Sequence, residues 1–183
     1  MGQSEVQEAV ARIVDAFDAA GIDYALVGAM ALNEYGYRRV TEDVDVLLTR
    51  EGLAAFKRAY LGRGYVEKFP GSKGMRDTVA GVNVDVVLAG EYPGDGKPKP
   101  VRFPDPQEAA VRAGKVALLP LDRLIELKLA SGMTAPHRLR DLADVLELIR
   151  LQRLPEDYGQ RLDAYVRDKF AELWQAAQST DPE

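Results

Sequence analysis

Three aspartates in two valine-rich runs are the residues of this sequence whose types and spacing point to chemistry. Asp43 and Asp45 lie two residues apart in residues 39–46, and Asp85 lies in the middle of residues 82–88. Residues two apart in a β-strand project from the same face, so the first two carboxylates would lie about 6–7 Å apart. Carboxylates this close repel each other unless a cation neutralises them. The sequence therefore predicts a cation site, although an ordinary solvent-facing strand can carry the same spacing.

The elements that must position these aspartates follow from the hydrophobic periodicity. The pattern predicts a helix over residues 4–20 with Ser4 as its N-cap, and Gly28 and Gly36 bound a short second helix. The remaining predicted elements of this part are a strand over 24–27, the aspartate strand, a helix over 52–61, strands over 65–69 and 75–80, and the Asp85 strand. This order predicts an α/β fold with a mixed sheet, in which the Asp85 strand can lie beside the Asp43 strand.

The C-terminal part is predicted to be helical. After a proline-rich stretch over residues 91–106, a helix is predicted from Asp105 to near Gly114, then a short apolar run and helices over 121–131, 136–153 and 155–178. We predict a core domain over residues 1–132 and a C-terminal helical extension over 133–183 packed on it. The basic residues Lys97, Lys99 and Arg102 are either a solvated loop or a substrate contact.

Composition places limits on the class of protein. The chain has 183 residues, 46% hydrophobic and 29% charged, which is typical of a globular domain with a core. Without cysteine, thiolate metal sites and disulfides are excluded. We expect a cytoplasmic protein that does not insert into membranes, because no apolar run approaches the roughly 18 residues that span a bilayer. The net charge of −5 means that contact with a polynucleotide would need a local basic patch.

Several other residues have both a functional and a purely structural interpretation. Gly28 could expose backbone N–H groups to a phosphate, or could simply permit a tight turn. Lys128 lies within an apolar helical stripe and could extend to water from its rim. Arg140 and Asp144, four residues apart, could form a surface ion pair.

Together these motifs resemble a known signature. The segments Val27-Gly28-Ala29, Asp43-Val44-Asp45-Val46 and Val84-Asp85-Val86 resemble the core of the nucleotidyltransferase superfamily related in fold to DNA polymerase beta. The tighter string Arg39-x-Thr41-x-Asp43-x-Asp45, with Lys128 and Arg140-Asp141-x-x-Asp144, resembles the AbiEii/AbiGii toxin-type branch, which includes MenT-like toxins. The resemblance covers about residues 22–150. It implies a small mixed sheet flanked by helices, followed by a helical segment.

The resemblance implies transfer of a nucleoside monophosphate from an NTP to an acceptor hydroxyl on RNA, such as tRNA, or on a protein. It implies Mg²⁺, with Mn²⁺ as an alternative, held by Asp43, Asp45 and Asp85, which are also the catalytic residues. An antitoxin protein would be a partner if the chain is the toxin of a toxin–antitoxin pair. The nucleotide-binding residues that it implies are Gly28, Ala29, Arg39, Thr41, Lys128, Arg140 and Asp141.

One departure from the pattern keeps two alternatives open. The superfamily usually has Gly-Gly or Gly-Ser after the first strand, whereas this chain has Ala29 in the second position. One alternative is a catalytically inactive nucleotidyltransferase-like domain that binds a nucleotide or a protein. The other is a transferase that acts on a small hydroxylated molecule such as an antibiotic.

Overall fold

A computed structural model describes residues 2–179, which form two compact units. The first unit contains residues 2–34, 38–90 and 104–119, and the second contains residues 35–37, 91–103 and 120–179. The division into domains 1–132 and 133–183 stays a prediction. Every helix within the described residues is too short or too polar to cross a lipid bilayer.

The first unit is a seven-stranded sheet with helices. Its helices are α1 (Gly2–Ala20), α2 (Gly28–Glu34), α3 (Arg50–Tyr60) and α4 (Pro106–Ala109). Its strands are β1 (Ala25–Val27), β2 (Asp43–Leu48), β3 (Tyr65–Glu67), β4 (Met75–Asp77), β5 (Val82–Leu88), β6 (Val111–Ala113) and β7 (Val116–Leu118). The strand order is β3-β4-β5-β2-β1-β7-β6. The predicted mixed α/β sheet is confirmed, because β2 runs parallel to β5 and antiparallel to β1.

Alternation along the central strands separates a core face from a face that is partly exposed at Asp43, Asp45 and Asp85 and is called the open face, although Leu47 further along it is buried. Val44 and Val46 of β2 are fully buried, as is Val84 of β5. These valines pack in one apolar cluster with Phe17 of α1 and Phe56 of α3. Burial of such a cluster is the main force that holds the two helices on the sheet. The residues between the valines therefore project from the opposite face, where the aspartates lie.

Two of the predicted elements of the first unit are wrong in detail. The first helix begins at Gly2, so Ser4 lies inside α1 and is not its N-cap. The helix predicted to reach Gly114 ends at Ala109, because Val111–Ala113 instead pairs with Val116–Leu118 in a hairpin that turns at Gly114. Here tertiary strand pairing overrides a local helical pattern.

The second unit is helical, as predicted. It contains α5 (Leu121–Thr134), α6 (Leu139–Leu151) and α7 (Ala164–Gln178), with 3-10 turns over Pro136–Arg138 and Glu156–Arg161. The last helix was predicted from Pro155, but it begins at Ala164, where the Asp163 side chain accepts a hydrogen bond from Tyr165 N. That N-cap ends the preceding 3-10 segment and starts α7.

Candidate functional site

The three aspartates lie side by side on the open face of the sheet. In the parallel pair of β2 and β5, Asp45 faces Asp85 and Asp43 faces Asn83. Facing residues on neighbouring strands are about 4.8 Å apart and project from the same face. All three aspartates are partly exposed, while the valines between them are buried. The predicted adjacency of the two aspartate strands is confirmed.

Gly28 closes this site from the β1 side. Val27, the last residue of β1, faces Asp45 across the antiparallel pair, and the chain then turns into α2 at Gly28 with φ +66°. A Cβ at Gly28 would lie 2.3 Å from Asp45 Oδ2. The position therefore requires glycine twice over, for its left-handed backbone and for the carboxylate against it. Ala29, the next residue of α2, is partly exposed.

Arg39 and Thr41 shape the segment that leads into β2. The Thr41 hydroxyl donates to the Asp43 carbonyl (3.0 Å) and accepts from Asp43 N (3.2 Å). The Asn33 side chain accepts from Arg39 N (2.7 Å) and donates to the Arg39 carbonyl (3.3 Å). These bonds fix the segment on α2. The Thr41 hydroxyl is thus used to hold the start of the aspartate strand.

A cavity of about 580 Å³ lies beside this segment. Arg38, Arg39 and Val40 line it from the segment, Met30, Asn33 and Glu34 from α2, and Gln3 and Gln7 from α1. Its volume is in the usual range for small-molecule sites. The two guanidinium groups outnumber the single carboxylate, so the cavity favours an anionic ligand.

Lys68 is a residue of the site that the sequence analysis missed. Its ammonium forms an ion pair with Asp85 Oδ1, with side-chain exposures of 31% and 43%. Lys68 directly follows β3, which is two strands away from Asp85 in the sheet. A lysine at the start of the loop between β3 and β4 is the signal that could have pointed to it, because these two strands come directly before β5, which carries Asp85.

The donor set fits a hard divalent cation in its chemistry. Asp43, Asp45 and Asp85 offer only carboxylate oxygens, which Mg²⁺ prefers. Within residues 2–179, however, no group of three or more His, Cys, Asp or Glu side chains is assembled closely enough to hold a metal ion. Asp85 is instead engaged by Lys68. Residues on the shared face thus supply ligands whose chemistry suits the ion.

Lys128 and Asp141, two of the predicted nucleotide contacts, meet each other in the second unit. The Lys128 ammonium lies 3.2 Å from Asp141 Oδ1 and 2.9 Å from Asp144 Oδ2. Asp141 Oδ2 also accepts from the Ser131 hydroxyl (2.6 Å) and from Arg138 Nε (3.0 Å). Asp144 is only 1% exposed, so the pairing of Asp144 with Arg140 on the surface is wrong. Arg140 itself is exposed.

The environment of Asp141 favours its charged form. Burial acts to raise the pKa of Asp141, but Lys128, the Ser131 hydroxyl and Arg138 together lower that pKa below its usual range. This balance is typical of a buried charge that is fully compensated. Lys128 and Asp141 therefore have a structural role in α5 and α6, and their contact with a nucleotide stays a prediction.

The basic stretch over residues 97–102 is ordered by its own lysine. The Lys99 side chain, 4% exposed, donates to the Pro93 and Lys97 carbonyls and to Asp95 at 2.7–2.8 Å. Its ammonium also lies 5.7 Å from the centre of the Tyr92 ring. Lys97 and Arg102 are exposed, as a solvated loop would have them, whereas the side chain of Lys99 is withdrawn from solvent and stabilises the loop.

Comparisons with known proteins identify the fold. No protein-family model and no curated protein matches the sequence. The antibiotic-resistance factor ANT(2″)-Ia is 15% identical with a TM-score of 0.56, over 96% of this chain and 94% of that chain. A second structure of ANT(2″)-Ia, in complex with adenylyl-2″-tobramycin, is 14% identical with a TM-score of 0.53, over 94% of this chain and 98% of that chain. A candidate nucleotidyltransferase from Thermotoga maritima is 16% identical with a TM-score of 0.55, over 80% of this chain and 96% of that chain. The chain therefore has the fold seen in nucleotidyltransferases.

Proposed function

We propose that this chain is a metal-dependent nucleotidyltransferase that moves a nucleoside monophosphate from an NTP to an acceptor hydroxyl. One observation carries the proposal: Asp43 and Asp45 share the open sheet face with Asp85, which lies in register with Asp45 on the neighbouring parallel strand. The likeness in fold to ANT(2″)-Ia supports it. The resemblance of the aspartate motif to the superfamily supports it independently.

The residues of the candidate site suit this chemistry in distinct ways. Asp43 and Asp45 would hold Mg²⁺, or Mn²⁺ as an alternative, and Asp85 would complete the set. The bound ion would neutralise charge on the phosphates. The acceptor oxygen attacks the α-phosphorus, the bond from that phosphorus to the bridging oxygen breaks, and pyrophosphate leaves. The hydroxyl proton passes to Asp85, the carboxylate beside the pair.

Other residues would bind the NTP. Arg39 lines an anion-favouring cavity next to the segment that leads to Asp43. Gly28 and Ala29 begin α2 beside Asp45 and stay predicted contacts of the triphosphate. The Thr41 hydroxyl bonds to the N–H and the carbonyl of Asp43, and a contact of Thr41 with the NTP stays a prediction. Lys128, Arg140 and Asp141 stay predicted nucleotide contacts.

Transfer of label from each NTP tests the proposal. The protein is incubated with Mg²⁺, each of the four NTPs labelled at the α-phosphate, and total RNA, a protein mixture or an aminoglycoside. We expect transfer from one or more NTPs that is lost in Asp43→Asn. Asp23→Asn, which changes an exposed carboxylate before β1, is the matched control and should transfer normally. Equal transfer by wild type and Asp43→Asn would contradict the assigned role of Asp43.

The alternative of a catalytically inactive binding domain has one observation in its favour. Lys68 already neutralises Asp85, as a structural ion pair in a silent site would. Titration calorimetry separates the alternatives, because an inactive domain binds an NTP with Mg²⁺ but transfers no label. A small-molecule transferase is the other alternative, and the ANT(2″)-Ia complex with adenylyl-2″-tobramycin makes an aminoglycoside the first acceptor to test.

The toxin role rests on the resemblance to the AbiEii/AbiGii type alone. If it is correct, expression of the wild-type chain in bacteria should slow growth, and expression of Asp43→Asn should not. A protein encoded beside the chain would then be expected to relieve the growth defect. Slow growth with Asp43→Asn as well would separate any toxicity from nucleotidyl transfer.

A further inference from the structure

Lys68, Gly74, Asp85 and Asp45 lie in one row that crosses the sheet from the β3 side to β2. Lys68 directly follows β3 and Gly74 directly precedes β4, and the antiparallel pairing of these strands continues to them, since Lys68 N donates to the Gly74 carbonyl (3.2 Å). The pairing of β4 with β5, continued by one residue, places Gly74 opposite Asp85, and Asp85 faces Asp45 on β2. Neighbours in such a row are about 4.8 Å apart and project from the same face. Lys68 therefore approaches Asp85 from the side that is remote from Asp45.

Gly74, in the middle of this row, leaves room for the Lys68 side chain. A Cβ at Gly74 would lie 3.0 Å from Lys68 Cδ and 3.4 Å from Lys68 Cε. The backbone of Gly74 is not in the left-handed region, so crowding by the lysine stem disfavours a side chain there. The stem thus lies over Gly74, and its ammonium forms the ion pair with Asp85 Oδ1.

The loop that begins at Lys68 is held by a second ion pair. The Glu67 carboxylate accepts from Gly71 N (2.8 Å) and from the Lys57 ammonium (2.8 Å), and Lys57 also donates to the Ser72 carbonyl (2.5 Å). The hydrogen bond from Lys57 lowers the pKa of Glu67 below its usual range, so this pair is charged at neutral pH. An ordered backbone therefore presents Lys68 to Asp85, and less freedom is lost when the ammonium is held there.

The ammonium of Lys68 occupies the place at Asp85 that a second metal ion would need. Enzymes that use two ions for in-line displacement at phosphorus hold them about 3.5–4 Å apart, one at the attacking oxygen and one at the leaving oxygen. A Mg²⁺ ion bound to Asp85 would lie roughly 2.1 Å from a carboxylate oxygen. The ammonium that pairs with the same carboxylate would lie close to this ion and repel it. Asp85 thus has one oxygen, Oδ2, that the ion pair leaves for the reaction.

We propose that Lys68 takes the place of a second metal ion, so that the site binds one divalent ion instead of two. The inference rests on the proposed function and adds a positioning residue to that site. Lys68 acts through Asp85, because its ammonium donates to Oδ1 and keeps its protons while Oδ2 accepts the proton of the acceptor hydroxyl. A lysine ammonium is a compact charge with three donors, which suits it to stand beside a carboxylate where an ion would otherwise bind.

Counting the bound Mn²⁺ ions tests the proposal without measuring transfer. The protein is saturated with a non-hydrolysable NTP analogue and titrated with Mn²⁺, and electron paramagnetic resonance counts the bound ions and shows whether two of them are magnetically coupled. Wild type should bind one uncoupled ion per complex. Lys68→Met, which frees Asp85 Oδ1, should bind a second ion and give the coupled signal. Lys68→Arg keeps the charge and should bind one ion, as should Lys115→Met, the matched control at an exposed lysine between β6 and β7.

The outcomes separate this inference from the proposed function. Two coupled ions in wild type overturn the inference and leave the proposed function standing, and so does one uncoupled ion in both wild type and Lys68→Met. If wild type binds no Mn²⁺ with the nucleotide analogue, the proposed function fails and the inference fails with it. Thermal unfolding shows whether each variant folds, and we expect the midpoint of wild type because Lys68 lies at the surface. Lys68→Gln also removes the charge, and as a second variant it should bind the second ion as Lys68→Met does.

Discussion

Replacing Gly28 with alanine should separate the candidate site from the rest of the fold. The new Cβ would lie 2.3 Å from Asp45 Oδ2 and 2.8 Å from Asp45 Cγ. Ordinary contact needs about 3.4 Å, so the carboxylate must move by about 1 Å. The left-handed backbone at φ +66° adds a cost of about 1–2 kcal/mol for any residue with a Cβ.

Gly21 provides a matched control for the backbone part of this cost. It has φ +65°, and a Cβ there would have no neighbour within 4 Å. Gly21→Ala should therefore lower the free energy of unfolding by about 1–2 kcal/mol. Gly28→Ala should lower it by about 2–5 kcal/mol, because crowding against Asp45 adds about 1–3 kcal/mol.

Denaturant unfolding and label transfer, measured on both variants, check the prediction. A displacement of 1 Å at a catalytic group can reduce the rate by about 100-fold, so Gly28→Ala should lose transfer and Gly21→Ala should keep it. In an Asp45→Ala background the extra stability loss of Gly28→Ala should shrink, because only the Cβ of residue 45, 3.0 Å from the new Cβ, then remains. Equal stability loss in the two glycine variants, with transfer retained in both, would refute the contact between Gly28 and Asp45.

Three further predictions concern the charged clusters. Lys128→Met leaves the buried carboxylates of Asp141 and Asp144 without their shared cation, so the free energy of unfolding should fall by about 3–5 kcal/mol; a loss below 1 kcal/mol would contradict this. Folding lowers the pKa of Asp141. The ionised carboxylate therefore stabilises the fold at pH values above the pKa that Asp141 has in the unfolded chain, and this stabilisation is lost as the pH falls through the lower pKa that Asp141 has in the folded chain. The stability difference between wild type and Asp141→Asn should therefore shrink from about pH 6 to about pH 2, and a constant difference would argue against the ion pair. Lys68→Met should strengthen Mn²⁺ binding, measured by calorimetry, about 2- to 5-fold because it frees the Asp85 carboxylate. Lys68→Arg keeps the positive charge and should not strengthen binding. Weaker Mn²⁺ binding in Lys68→Met would show that Lys68 does not compete with the ion for Asp85.

The placement of the aspartates could be predicted from the sequence because it depends on strand periodicity. Alternation places Asp43 and Asp45 on one face whatever the partner strand is. Two valine-rich runs of similar length then favour neighbouring positions at the centre of a sheet, which β2 and β5 occupy. Local pattern and tertiary structure agree here, so the prediction that Asp43 and Asp45 share one face is confirmed.

Contacts made across the sheet could not be predicted in the same way. Lys68 reaches Asp85 because its stem crosses at Gly74, directly before β4, the strand that lies between β3 and β5. No spacing along the chain encodes that path. Lys128 illustrates the same limit, since a lysine in an apolar stripe predicts a side chain extended to water, whereas α6 supplies Asp141 and Asp144 as buried partners.

The most direct test of the central claim is a crystal structure with Mn²⁺ and a non-hydrolysable NTP analogue. Anomalous scattering from manganese should place the ion against carboxylate oxygens of Asp43 and Asp45, with the α-phosphate beside it and Asp85 on the side of the acceptor. An ion or a nucleotide bound away from this sheet face, with the two aspartates contacting neither, would contradict the claim.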